Sequence, residues 1–147
     1  MRRPPRAAAA AFAAALLAAA LAHASPAQDY ILYCMGCHGA EAQGVAGRVP
    51  PLAGSVALLM ASPVGRNYVL RVPGAANSAL SDAQLAAVLN WLAQRYPPPG
   101  GSAPAAAPFT AAEVAGLRRT PLANVKESRR EVVRALAASG QAPPAAY

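Results

Sequence analysis

Hydrophobic positions recur at helical spacing in the second half of the chain. Leu85, Val88, Leu89 and Leu92 form one stripe, which predicts a helix. Ser81 and Gln84 frame its start as a capping box, and Pro97-Pro98-Pro99 stops it. Thr110 and Glu113 make a second capping box, predicting a short helix that runs to about Arg118 before Pro121 breaks it. A longer helix is predicted from about Leu122 to Ala138. Leu122, Val125, Val132, Val133 and Leu136 are available for one face, and Ser139-Gly140 ends it. There is no alternating strand pattern to set against these, and no internal repeat. The fold class is all-α.

The N-terminus reads differently. Arg2, Arg3 and Arg6 precede an uncharged, alanine-rich run from Ala7 to Ala22, and Ala22-His23-Ala24 fits the small-x-small cleavage rule. This predicts a secretory signal peptide over residues 1–24. The run falls short of the roughly 20 strongly apolar residues that a bilayer span needs, so an uncleaved anchor is the lesser reading. Export to the periplasm follows, with no stable membrane insertion after cleavage. Loss of the three arginines takes the formal net charge from +7 to +4. Nucleic-acid binding is a poor fit, because an exported chain without a basic-aromatic stripe has no such partner. A mildly cationic surface instead suits an acidic protein. Residues 98–108 are rich in Pro, Gly and Ala and read as a semi-rigid linker. The expected organisation is a domain over 25–97, this linker, a helical hairpin over 109–140 and a frayed tail over 141–147.

Chemistry concentrates at Cys34-Met35-Gly36-Cys37-His38, which holds both cysteines of the chain. Cys-x-x-Cys-His is the haem-attachment spacing: two thiols three positions apart bond the two vinyl groups of one haem, and the next residue offers an imidazole to the iron. One covalent haem c is implied, with Cys34, Cys37 and His38 as cofactor-binding residues and His38 as the iron ligand. A zinc site lacks a fourth ligand once His23 leaves with the signal. A thioredoxin-like pair would need a βαβ setting, and a plain Cys34–Cys37 disulfide leaves His38 unexplained.

Around this motif, residues 29–96 resemble a class I cytochrome c domain. Asp29-Tyr30-Ile31-Leu32-Tyr33 resembles the short helix that leads into the haem motif, and Gly39, Gly44 and Gly47 fall where such proteins show glycines. Pro50-Pro51-Leu52-Ala53-Gly54 resembles the family's Pro-x-Leu-x-Gly stretch. The resemblance implies the cytochrome c fold, a small helical haem domain, here with a C-terminal helical extension. It places the Pro50 carbonyl against the ring N–H of His38, and it has the last helix cross the first and close over the haem. Trp91 falls where the family often has an aromatic, either against the haem or in the helix seam, and the seam is the better reading.

One departure stands out. The family usually presents a methionine to the sixth iron position from a loop before the final helix, and Val72–Leu80 holds none. Met60 is the remaining sulfur candidate, although a methionine in Val56–Ala61 is better read as helix core. Asn77, water or an open site are the others. The resemblance implies an electron-transfer protein rather than an enzyme, with no catalytic residues of its own. It would shuttle single electrons from a periplasmic dehydrogenase, or as a dehydrogenase's haem subunit, to another cytochrome or an oxidase. The competing reading is a haem protein that binds or senses a small molecule at an open sixth position.

Overall fold

A capped turn opens the first helix. In the computed structural model, which describes residues 24–101 and 106–141, Ser25 Oγ accepts from the Gln28 N–H and the Gln28 side chain returns a bond to the Ser25 N–H. With Pro26 at the first helical position, this starts α1 (Pro26–Tyr33). The expected signal peptide lies outside the described residues except for Ala24. So do residues 102–105 of the linker and 142–147 of the tail. After α1 come α2 (Met35–His38), α3 (Ser55–Met60), α4 (Pro63–Arg71), α5 (Pro73–Ala76), α6 (Asp82–Arg95), α7 (Ala111–Leu117) and α8 (Val125–Ala138). Among the described residues the only strand-like feature is an isolated bridge between Val45 and Val49.

The helix over Asp82–Arg95 starts where its capping box requires, with Ser81 Oγ accepting from the Gln84 N–H. It packs across α1. Trp91 sits in that seam, its ring centroid 5.6 Å from Tyr30 and 6.3 Å from Tyr96, while Gln84 donates to Asp29 Oδ2 at 3.3 Å. α3 and α4 meet closely because Gly65 has no side chain: a Cβ there would stand 2.2 Å from the Leu59 carbonyl oxygen.

The C-terminal hairpin belongs to the same core. Phe109, Val114, Val132 and Leu136 are buried in one cluster with Leu70, Val88 and Leu92. Polar bonds tie it down further. The Asn90 amide brackets Phe109, donating to its carbonyl at 3.0 Å and accepting from its N–H at 2.8 Å. Leu122 N–H donates to the Arg71 carbonyl at 3.0 Å. Arg118, just after α7, donates to the carbonyls of Leu80 at 2.8 Å and Ser78 at 2.6 Å and pairs with Asp82 at 3.2 Å. Those bonds fix the loop before α6.

Two local expectations change. Thr110 Oγ1 caps α7 through the Glu113 N–H, but no reciprocal capping box forms, because the Glu113 carboxylate is taken by Arg66, whose Nε donates to it at 2.7 Å. Residues 106–108 are not a bare spacer either. Arg66 donates to the Ala107 carbonyl at 2.7 Å and to the Pro108 carbonyl at 3.3 Å, and stacks 4.2 Å from the Phe109 ring centroid.

Candidate functional site

Cys34, Cys37 and His38 line one cavity of about 320 Å³. Cys34 ends α1 and the other two lie on α2, so a break between two short helices turns all three toward the same space. The rest of the wall is chiefly aliphatic, with Val56 and Leu59 from α3, Val69 from α4, and Leu85, Val88 and Leu92 from α6. Both cysteines are free thiols. Burial, helped by the negative charge of Asp29, pushes the Cys34 thiol up to about 11, so it is protonated at neutral pH and poorly suited to bind a metal as a thiolate.

The His38 ring is held by the loop that follows. Its Nδ1 stands 3.0 Å from the Pro50 carbonyl oxygen. A carbonyl only accepts, so Nδ1 carries the proton and Nε2 keeps its lone pair. Burial lowers the His38 pKa below its ordinary value, opposed by that bond, and the imidazole is neutral at pH 7. Two further contacts hold the frame. Tyr30 Oη donates to the Gly39 carbonyl at 2.5 Å, immediately after the histidine. Gly44, at φ +69°, lets the chain pass so close to the proline segment that a Cβ would lie 2.3 Å from the Val49 oxygen and 2.8 Å from the Pro50 oxygen.

Neither sequence candidate for a sixth ligand lines this cavity. In α3, Val56 and Leu59 share the face turned toward it, whereas Ala57 and Met60 share the opposite face and line a separate space of about 250 Å³ with Asn90 and Ala93. Asn77 is exposed outside the wall. Trp91 is likewise absent from the wall. The sequence reading missed Ser55, Tyr68 and Arg129, which do line it. Arg129 had a signal: it falls on the stripe Val125, Val132, Leu136 at helical spacing, a charge among apolar positions.

A chiefly apolar cavity walled by two free thiols and a neutral, oriented imidazole fits haem c. A buried hydroxyl on the same wall, Ser55 Oγ, lacks a hydrogen-bond partner among the described residues and fits an occupant with a polar edge. Fold and site together define a c-type haem protein. No family model matches the chain. Over 124 residues it is 37% identical to a cytochrome c-552 of Thermus thermophilus, spanning 70% of this chain and 80% of that protein. A second cytochrome c-552 of Thermus thermophilus is 36% identical over 110 residues, spanning 60% of this chain and 81% of its own length. The chain belongs to the c-type cytochromes and is a monohaem electron carrier with haem c and its iron as cofactor. That membership favours electron carriage over the small-molecule-binding reading. No helix among the described residues is long and apolar enough to cross a membrane.

Proposed function

We propose that this is an exported, periplasmic electron shuttle in which Cys34 and Cys37 hold the haem through thioether bonds and His38 ligates its iron. The observation that carries the reading is the bond from His38 Nδ1 to the Pro50 carbonyl, at 3.0 Å, on the cavity wall that both thiols share. It orients Nε2 and makes the imidazole a better donor. When bound, the haem supplies a one-electron iron couple. The protein's part is to keep that couple dry within aliphatic walls and to leave one edge approachable.

The approachable edge is at the cysteines. Cys37 is exposed, and Ile31, Leu32 and Tyr33 form an exposed apolar ridge just before Cys34, with Leu32 69% accessible. A ridge of this kind suits brief docking of a redox protein. A dehydrogenase would supply the electron there, and another cytochrome or an oxidase would take it; the net positive charge favours acidic partners. The chain serves as a carrier, free-standing or as a dehydrogenase's haem subunit. The N-terminal segment directs export and is removed, in preference to persisting as an anchor.

The test is a potentiometric titration of protein matured in a host that attaches haem c, with cell fractionation alongside. One electron per chain and recovery in the periplasmic fraction are expected. A redox-inactive product, or one retained in the cytoplasm with its N-terminus intact, contradicts the reading.

A further inference from the structure

One wall of the cavity is held in place from outside it. Val72, Gly74 and Ala75 belong to that wall, and the segment Val72–Leu80 carries no sulfur or imidazole that could tie it to an iron. Its own backbone bonds are short-range, such as Asn77 N–H to the Pro73 carbonyl at 3.0 Å and Ser78 N–H to the Ala75 carbonyl at 3.3 Å. The rest of its support is one side chain of the C-terminal extension. All three guanidinium nitrogens of Arg118 serve this segment. Nε donates to the Ala76 carbonyl at 3.3 Å, and Nη1 to the Leu80 carbonyl at 2.8 Å and to Asp82 Oδ1 at 3.2 Å. Nη2 donates to the Ser78 carbonyl at 2.6 Å and to the Ala75 carbonyl at 3.3 Å. The Arg118 side chain is only 10% accessible, yet it does not line the cavity itself.

The post is firmer than what it holds. The helix before Arg118 is docked without its help: Val114 is fully buried, the Asn90 amide brackets Phe109, and Arg66 takes Glu113. Within Val72–Leu80, by contrast, only Leu80 is buried. We infer that Arg118 is a positioning residue of the haem site, clamping the Ala75–Leu80 loop and so limiting how readily water and small ligands pass the Val72–Ala75 wall. The inference rests on the haem reading above. A guanidinium offers five N–H donors in a rigid plane and can satisfy several carbonyls around it at once, which an ammonium on a flexible stem cannot do. Without it those carbonyls turn to water, and a loop with few buried contacts opens more often.

The experiment compares matured full-length holoprotein with its Arg118→Ala, Arg118→Lys and Arg119→Ala variants. It reads the rate of imidazole binding to the ferric form, the midpoint potential, and hydrogen exchange of the amides over residues 74–80. Arg118→Ala should bind imidazole about tenfold faster or more, or detectably where wild type takes up none, as expected for the loss of several bonds to a charged group. Its potential should fall, because admitted water favours the ferric state, and exchange should quicken over residues 74–80 but not over 111–117. Arg118→Lys should recover only part of each. Arg119, an exposed neighbour that donates to the Ala115 carbonyl at 3.3 Å, controls for charge, and Arg119→Ala should match wild type. A merely structural role would lower denaturant stability and leave imidazole binding and potential at wild-type values, which overturns the inference. So does an Arg119→Ala variant that behaves like Arg118→Ala. Should Arg118→Ala fail to mature, Arg118→Lys decides alone, and wild-type imidazole binding there overturns it equally. Wild-type protein without covalent haem would sink the functional reading itself, a result that mass analysis separates from a haem whose access ignores Arg118.

Discussion

His38 Nδ1 and the Pro50 carbonyl oxygen, twelve positions apart, stand 3.0 Å from each other. The loop between them closes this contact only because Gly44 adopts a left-handed φ of +69° against the proline segment. Gly44→Ala would bring a Cβ to 2.3 Å from the Val49 oxygen, which is backbone and cannot rotate away. A left-handed alanine alone costs about 1–2 kcal/mol. The variant should mature in lower yield. Its midpoint potential should rise, because a weakened Nδ1–H bond leaves the imidazole a poorer donor to ferric iron. A variant equal to wild type in both yield and potential would separate the loop from the histidine.

Arg66 ties the extension to the haem domain through Glu113, Ala107, Pro108 and the Phe109 ring. Its side chain is mostly covered, so breaking the set should cost about 2–3 kcal/mol. In denaturant titrations, Arg66→Ala should lose that much, with faster proteolysis near residues 106–110. Arg66→Lys should recover only part, since an ammonium lacks the fork that reaches carboxylate and carbonyls together. Equal stability of Arg66→Ala and wild type would show the tether to be idle.

Met60 faces away from the cavity that Cys34, Cys37 and His38 line, and Met35 packs against the core without lining it. The oxidised holoprotein should therefore lack the weak near-infrared sulfur–iron band of methionine ligation, and Met60→Leu should leave its visible spectrum unchanged. Presence of that band, lost in Met60→Leu, would refute the assignment of Met60 to the core.

Burial first, and then the negative charge of an ionised Cys34, push the Tyr30 hydroxyl up to about 12 from its ordinary 10; with Cys34 in a thioether, the upward push of burial remains. A folded pKa above the unfolded one means that folding loses stability as pH climbs from about 10 to about 12. Ultraviolet titration should show one late tyrosine that Tyr30→Phe removes. The same variant should cost about 1 kcal/mol through the orphaned Gly39 carbonyl. Titration of every tyrosine near 10 would contradict this.

What the sequence made legible is local. The Ser81–Gln84 box and the Pro97 stop set α6, and five consecutive residues from Cys34 mark the proposed haem site. The Pro50 contact came through family resemblance, since nothing in a Pro-Pro pair by itself points at a histidine. The Ser25–Gln28 cap and α4, with Ser62 and Pro63 at its start, carried readable signals and were not predicted. Contacts across long separations were out of reach. Glu113 looked like a capping partner because its neighbours are in sequence, while Arg66, which claims it, is 47 positions away. Arg129, which the sequence did not single out, lies against the cavity because α8 places it there.

The most direct test is intact-mass analysis of the matured chain together with its alkaline pyridine haemochrome spectrum, which separates one thioether bond from two. The account predicts one haem per chain, two thioethers in wild type, a single thioether in Cys37→Ala, and loss of normal holoprotein in His38→Ala. A wild-type chain with no added haem mass, or Cys37→Ala still showing a two-thioether spectrum, would contradict it.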